Sequence, residues 1–322
     1  MSSIAKRKLA VVMDPIQSID YKKDTTLAML WAAQDAGFEL FYLELPDLLL
    51  RSGKPYGLMR TLQVYREPSR WFTLEKATEQ PLSSMDIILM RKDPPFDMDY
   101  IYATYLLELA AAAGVLVANR PDSLRDCNEK LFAARFPHCS PELLVSSNAS
   151  VLRAFQQQHG DVVLKPLDGM GGRSVFRVKP GDDNIGVIIE TLTAHGQHPI
   201  MAQRFLPAIA EGDKRILLLN GEPVSHCLAR IPMSGENRGN LAAGGRGEVR
   251  PLTDRDRWIA AEVAPEIRKR GLYFVGLDVI GDSLTEINVT SPTCLREIEA
   301  ATGEPIAANF IALLQQQLEA TT

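Results

Sequence analysis

At 322 residues the chain is long enough for about two domains, and a hydrophobic share of 46% with 23% charged residues excludes global disorder. A formal net charge of −5 argues against a nucleic-acid partner, whose binding surfaces carry a basic excess. Lys6-Arg7-Lys8 imitates the start of an export signal, but the apolar run that follows stops at Asp14-Pro15, too short for one. The longest helix-like apolar stretch, 109–117, cannot span a bilayer. Cys127, Cys139, Cys227 and Cys294 show no Cys-x-x-Cys spacing. Together these features predict a soluble, cytoplasmic protein with reduced thiols and no membrane partner.

Residues 8–13 read as a strand, 25–36 as an amphipathic helix stopped by Gly37, and 38–43 as a second strand. That is a βαβ unit, which implies a parallel sheet with a right-handed crossover. A dehydrogenase reading has only this unit to stand on, because the Gly-x-Gly-x-x-Gly fingerprint is missing. Residues 86–90 form another strand, and its C-terminal end runs straight into Arg91-Lys92-Asp93. Open α/β sheets bind ligands beyond the carboxyl ends of their strands. The basic pair is therefore a candidate anchor for a substrate carboxylate, with a solvated strand end before Pro94-Pro95 as the alternative. A helix over 99–113 and a strand over 115–118 complete an N-terminal Rossmann-like domain, 1–124.

Further on, Lys165-Pro166-Leu167-Asp168-Gly169-Met170-Gly171-Gly172 sets a lysine against a glycine-rich turn. Glycines let backbone N–H groups approach an anion, and the ammonium supplies the opposing charge. The β-branched and aromatic runs 162–164 and 174–178 flank it as strands. A strand–loop–strand setting excludes the P-loop, which opens a helix. By itself the loop reads equally well as a hairpin with a surface lysine. His195 and His198 are three apart, but Gly196 and Pro199 argue against a helix between them, so a solvated loop is expected rather than a metal pair. Residues 231–247 hold Gly235, Gly239, Gly244, Gly245 and Gly247 with little periodicity. Such long loops are either lids or disordered segments; Arg238 and Arg246 favour a lid closing over anionic groups.

Thr253 with Asp256 three residues on marks a helix start, and the helix runs to Arg270. Residues 271–280 read as a buried strand and 284–289 as its return. A three-residue connection, Gly281-Asp282-Ser283, would place Asp278 across from Glu286, with Asn288 on the same face. Two carboxylates and an amide oxygen would then suit Mg²⁺ or Mn²⁺. A two-residue turn would send Glu286 to the opposite face. Without the ion the clustered carboxylates would repel, so neutralising Asp278 is expected to spare the fold.

These features, taken with several further blocks, carry a resemblance. The chain resembles the prokaryotic glutathione synthetases, members of the ATP-grasp carboxylate–amine ligases. The blocks are Val12-Met13-Asp14-Pro15, Leu89-Met90-Arg91-Lys92-Asp93-Pro94-Pro95-Phe96, Leu124-Arg125-Asp126-Cys127-Asn128-Glu129-Lys130 and the glycine loop. Gly212-Asp213-Lys214-Arg215, Gly239-Asn240-Leu241-Ala242-Ala243-Gly244-Gly245-Arg246-Gly247 and Thr285-Glu286-Ile287-Asn288-Val289-Thr290-Ser291-Pro292-Thr293 follow in family order. The resemblance implies a mixed α/β and α+β fold. A central ATP-grasp lobe would cover 125–202 and a C-terminal lobe 203–322, with the lid at 231–247.

It implies ATP-dependent joining of γ-glutamylcysteine and glycine through an acyl phosphate, with Mg²⁺ or Mn²⁺, in a homotetramer. Lys130 and Lys165 then match phosphate-contacting lysines, beside Gly169, Gly171 and Gly172. Gln203-Arg204-Phe205-Leu206 matches the linker that reads adenine, and Asp213 lies near the ribose and phosphate path. Arg215, Arg230 and Arg246 are candidates for stabilising the transferring phosphoryl group and the tetrahedral intermediate, and Ser291 joins Arg91, Lys92 and Asp93 on the substrate side. D-alanine–D-alanine ligases and peptide-tail glutamate ligases share such a nucleotide site, but the block at 91–93 and the loop at 240–247 argue against both. A regulatory module without turnover is disfavoured by the intact acid set. Arg173 stands where a small residue is expected, and loop stiffening or a phosphate contact would each explain it.

Overall fold

The computed structural model describes residues 6–233, 235, 236, 239 and 244–321. In chain order β1 (Lys8–Val12), α1 (Thr25–Asp35) and β2 (Glu39–Leu43) form the expected βαβ unit. Then come β3 (Leu48–Arg51), β4 (Lys54–Val64), β5 (Phe72–Leu74), β6 (Thr78–Pro81), β7 (Ile87–Met90), α2 (Met98–Ala112) and β8 (Leu116–Ala118). The sheet order is β3-β4-β2-β1-β7-β8, with β5 and β6 also paired to β4. β2, β1, β7 and β8 run parallel, while β3 to β6 are antiparallel additions on one side.

Apart from Lys8 and Glu39 at their starts, the parallel strands are apolar because both faces are covered. Ala10, Val12, Ile88 and Met90 meet Tyr100 and Leu107 of α2 on one face. Leu9, Val11, Ile87 and Leu89 meet Leu27 and Leu30 of α1 on the other.

α3 (Pro121–Asp126) and α4 (Glu129–Ala133) lead to a four-stranded sheet made of β9 (Leu143–Ser146), β10 (Val162–Pro166), β11 (Phe176–Val178) and β12 (Ile200–Arg204), in the order β11-β10-β12-β9. Its own small core gathers Val162, Leu164, Ile200 and Ala202 under α5 (Ala149–His159) and α6 (Ile185–Leu192). β12 reaches Arg204, so this sheet extends two residues past the boundary expected at 202. His195 and His198 are exposed.

The last sheet has the order β15-β14-β13-β16-β17, from β13 (Asp213–Leu219), β14 (Glu222–Ile231), β15 (Arg246–Pro251), β16 (Phe274–Ile280) and β17 (Ser283–Asn288). α7 (Asp254–Lys269) opens on the predicted cap: the Thr253 hydroxyl accepts from Asp256 N–H at 3.1 Å, and Asp256 accepts from Thr253 N–H at 3.0 Å. Lys214 of β13 also reaches Asp256, which is fully buried.

α8 (Leu295–Thr302) and α9 (Ile306–Thr321) close the chain. Phe310, Ile311 and Leu314 of α9 join the core of the N-terminal sheet, and the Phe310 ring also meets Phe274 of β16, 5.2 Å between ring centres. Buried Asn119, just after β8, bonds Phe274 O at 2.9 Å and Val289 O at 2.7 Å, so the N-terminal sheet grips both ends of the β16–β17 hairpin.

Candidate active site

The hairpin that carries the acids is built differently from the expected one. Ile280 pairs with Ser283 and Val279 with Leu284, so the turn is the two-residue Gly281-Asp282. The register then shifts, and Asp278 pairs with Glu286 and Gly276 with Asn288. Thr285 is the extra residue, its hydroxyl donating to Asp278 O at 3.0 Å. A bulge supplies the odd residue that the turn lacks and re-aims Glu286 onto the face of Asp278, a common use of bulges beside active sites.

Neighbouring strands bring cations to the same face. Arg215 of β13 pairs in register with Asp278, and its guanidinium grips the carboxylate at 2.6 and 3.0 Å. It lies across Gly276, where an added Cβ would meet Arg215 Cδ at 2.9 Å. Arg230 of β14 reaches Asp278 at 2.9 Å and Asp213 at 2.5 Å. Burial pushes the Asp278 carboxyl upward, but Arg215 and Arg230 outweigh it and hold the group well below the usual carboxylate range. The reason given for expecting that neutralising Asp278 spares the fold, relief of repulsion between clustered carboxylates, is therefore corrected: its closest charged partners are two buried cations. Asp213 is pushed up to about 7 by burial, with Arg230 opposing. Its Oδ1 is buried without a hydrogen-bond partner among the described residues.

The two lysines come from separate elements. Asn128 caps α4, accepting from the Lys130 and Leu131 amides at 3.1 Å and donating to Leu167 O of the glycine loop at 3.0 Å. Lys130 Nζ thereby meets Gly169 O at 2.8 Å, Glu129, and Glu286 at 3.6 Å. Lys165, near the end of β10, is 3.5 Å from Glu286. Burial works against the Lys130 ammonium, yet Glu286 and Glu129 carry it above its ordinary value. Glu286 is held low because Lys130 and Lys165 overcome its burial. Glu129 goes the other way, pushed up to about 7 by burial and by Glu286. Gly171 and Gly172 occupy the left-handed region at φ 63 and 78, and the Arg173 amide closes the loop onto Met170 O at 3.2 Å.

Two chambers meet at this wall. Lys130, Lys165, Gly169, Gly171, Gly172, Gln203, Arg204, Phe205, Leu206 and Asp213 all line the first, with Asp278 and Glu286 at its floor. Phe205 lies under Arg177, whose guanidinium sits 3.6 Å from the ring centre. The Arg204 guanidinium turns outward to Glu142 at 2.7 Å. Glu236 and Gly239 stand at the chamber's rim.

The second chamber, of about 260 Å³, shares Gly171, Asp278 and Glu286 with the first. Arg215, Arg230, Asn288, Asp93, Ser291 and Glu129 also line it. Arg91 and Lys92 are not brought to its wall. Arg91 is buried behind it, donating to Thr26 Oγ1 at 3.1 Å and Pro292 O at 2.9 Å, and Lys92 pairs with Asp14 at 2.9 Å. Ile231, Arg246 and Gly247 are strand residues, since Ile231 pairs with Arg246 and Arg230 with Gly247. The expected lid thus shortens to 232–245, and Arg238 and 240–243 lie outside the described residues.

No group of three acidic, histidine or cysteine side chains that could hold a metal occurs among the described residues. The proposed set differs from such a group in using one amide, and it fits a hard cation: Asp278, Glu286 and the Asn288 carbonyl share one face, all oxygen donors. A larger groove of about 830 Å³ runs between α1 and α8–α9. It lacks the lysine–carboxylate cluster, so charge rather than size selects the site. Sequence reasoning missed Glu129, whose position at the start of a helix is ordinary for an acid. It also missed Arg177, one charge in a β-branched run.

Comparison with known proteins agrees with this geometry. Residues 8–125 match the family description "Prokaryotic glutathione synthetase, N-terminal domain", and residues 129–303 match its "ATP-grasp domain". The chain is 60% identical over 313 residues to a protein named glutathione synthetase from Pseudomonas syringae pv. tomato, covering 97% of this chain and 98% of the other. It is 56% identical over 312 residues to the protein of that name from Escherichia coli O157:H7, covering 97% and 99%. Among solved structures, a D-cycloserine synthetase superposes with TM-score 0.68 at 14% identity, covering 97% of this chain and 99% of that one. A RimK domain ATP-grasp protein from Sphaerobacter thermophilus gives 0.62 at 17% identity, covering 95% and 98%. At such low identity these two show the fold alone, an ATP-grasp fold.

Proposed function

The chain belongs to the prokaryotic glutathione synthetase family and is an ATP-dependent carbon–nitrogen ligase; we propose how its residues divide the joining of γ-glutamylcysteine to glycine. A carboxylate is a poor electrophile because oxide does not leave. Transfer of the γ-phosphoryl group of ATP to the cysteinyl carboxylate gives an acyl phosphate and ADP. The glycine amine then attacks that carbonyl, and phosphate departs. The reading rests on one observation: the lysine- and glycine-lined chamber and the arginine-lined chamber share a wall at Asp278 and Glu286. Phosphoryl donor and acceptor can therefore face each other in line.

Lys130 and Lys165 hold the phosphates, and the Gly171–Gly172 backbone cradles them. The amides of Arg204 and Phe205 are already spent on Glu142 O and Asp161 O. The adenine edge is then read by Leu206 and by backbone carbonyls of the 203–206 segment. Asp213, with its unfilled oxygen, takes a ribose hydroxyl. Arg215 and Arg230 lie on the acceptor side and neutralise charge on the transferring phosphoryl group and the tetrahedral intermediate, where positioning and charge do most of the work. Asp93 and Ser291 bind substrate, and Arg91 braces the Pro292 wall they stand on. Asp278, Glu286 and Asn288 would hold Mg²⁺ or Mn²⁺, which would supply neutralisation of phosphate charge. The 232–245 segment closes with Arg246 at its base, excluding water from the acyl phosphate. A cytoplasmic homotetramer belongs to the same proposal.

Phosphate release from ATP tests it. Release should require γ-glutamylcysteine and glycine together. Turnover on D-alanine alone would replace this reading with that of a cell-wall ligase.

A further inference from the structure

We propose that the outer face of α2 is a two-fold seam through which this chain packs against a second copy of itself. The inference rests on the homo-oligomer reading above and gives it a surface.

Most helices of a globular protein bury one apolar stripe and expose a polar face. α2 departs from that pattern. Its inner face is committed to the N-terminal sheet through Tyr100, Ala103, Leu107 and Ala110. Its outer face still presents Met98, Tyr102, Tyr105 and Leu109, at 54%, 55%, 49% and 40% exposure. A helix that is apolar all round belongs in an interior. Here the missing cover has to come from outside the chain.

The spacing of the stripe identifies the cover. Positions 98, 102, 105 and 109 step by four, three and four, the 3.5-residue repeat of a helix–helix seam. The stripe is also a palindrome: aliphatic residues stand at both ends and tyrosines in the middle. A two-fold axis through its centre places Met98 against Leu109 of the second copy and Tyr102 against Tyr105 of the second copy. An isologous interface requires this reciprocity.

The charges obey the same symmetry. Asp99 would face Glu108 of the second copy, an unfavourable pair if bare. Arg125 already stands there, 2.5 Å from Glu108 and stacked 4.4 Å over the Tyr105 ring. Across the axis that guanidinium, already paired with Glu108, would offset the second copy's Asp99. A membrane-facing helix would instead carry basic residues along its margin, whereas α2 carries Asp99 and Glu108.

Sedimentation velocity on the full chain, with a cysteine cross-link, tests the seam. Tyr102→Glu should weaken one association step by at least ~100-fold, with melting temperature and ligase turnover retained as evidence of folding. Tyr102→Phe should keep the wild-type assembly. Met98 and Leu109 lie ~16 Å apart along one helix, too far for a disulfide within the chain, and the four native cysteines are buried. Under mild oxidation Met98→Cys/Leu109→Cys should therefore give covalent dimers, while neither single variant does. An assembly unchanged in Tyr102→Glu would overturn the seam and leave an oligomer built on other surfaces. Equal cross-linking by Met98→Cys alone would also overturn it. A monomeric wild type at tens of micromolar would overturn the seam and the oligomer reading together.

Discussion

Asp278→Asn separates two views of the acid cluster. If Asp278 and Glu286 simply repelled each other, removing one charge would stabilise the metal-free protein. The structure requires the opposite. Asp278 is buried, and its carboxylate is the only acid bonded to Arg215 among the described residues, at 2.6 and 3.0 Å. Breaking a buried ion pair from one side costs about 3–5 kcal/mol, because the remaining charge stays desolvated. The lower end applies here, since Arg230 keeps Asp213 at 2.5 Å and asparagine retains one acceptor oxygen. An unfolding entropy of about 2.1 cal/mol/K per residue, taken over 322 residues, converts about 3 kcal/mol into a fall of about 4–5 °C in melting temperature.

Differential scanning calorimetry of the ligand-free protein at pH 7.5 reads this directly. The pH dependence adds a check on cause. The folded Asp278 carboxyl is held below its unfolded value, so its stabilisation is present above the unfolded pKa and is lost as pH falls through the folded one. The gap between wild type and variant should narrow below about 4, near the ordinary aspartate value. Glu286→Gln is the control. Lys130 would keep Glu129 and Gly169 O, and Lys165 would lose only a 3.5 Å contact rather than a close bidentate pair, so turnover should collapse with a smaller thermal shift. A melting temperature for Asp278→Asn at or above wild type would refute the ion-pair account.

Three further predictions concern the lid and Glu129. Arg246→Ala should cut turnover at least ~10-fold while shifting stability by no more than about 0.5 kcal/mol, because the side chain is 71% exposed and its partner Glu248 is exposed too; steady-state kinetics beside thermal melts would check it, and equal losses in both would count against a closing loop. Hydrogen exchange across 232–245 should slow when nucleotide and substrate are added, and exchange that is already slow in the free protein would contradict a lid. Glu129→Gln should change the pH profile of stability: an acid held near 7 when folded binds its proton more tightly than when unfolded, so it costs stability increasingly as pH rises from about 4.5 to 7. The variant should therefore gain on wild type between pH 5 and 8, and a gap independent of pH would sink the assignment.

Much of this site was legible in the chain because its parts are local. The βαβ unit, the Lys165 loop between two strands and the Thr253–Asp256 cap each depend on residues close together in sequence, where period and capping chemistry decide. What was not legible depends on which strands become neighbours. Charge at 91–92 suggests a strand end open to a ligand, but whether a guanidinium turns outward or inward is settled by Thr26 and Pro292, far along the chain. The pairing of Arg215 and Arg230 with Asp278 likewise follows from the sheet order β14-β13-β16, which no local pattern encodes.

The hairpin shows how a correct face can follow from an incorrect turn. The chemistry asked for an odd number of residues between Asp278 and Glu286, and a three-residue turn was the simplest source. The chain uses the tighter Gly281-Asp282 turn, in which Gly281 takes φ 57, and inserts Thr285 as a bulge. A bulge needs no glycine or proline to announce it, so nothing at Thr285 distinguishes it from an ordinary strand residue. Its consequence is mechanical. The Thr285 hydroxyl, bonded to Asp278 O, locks the shifted register. Without the bulge this turn would set Thr285 itself against Asp278 and send Glu286 to the other face. Deleting Thr285 should therefore move Glu286 into that slot, keep it across from Asp278 and retain turnover, and a folded deletion variant without turnover would refute the register argument.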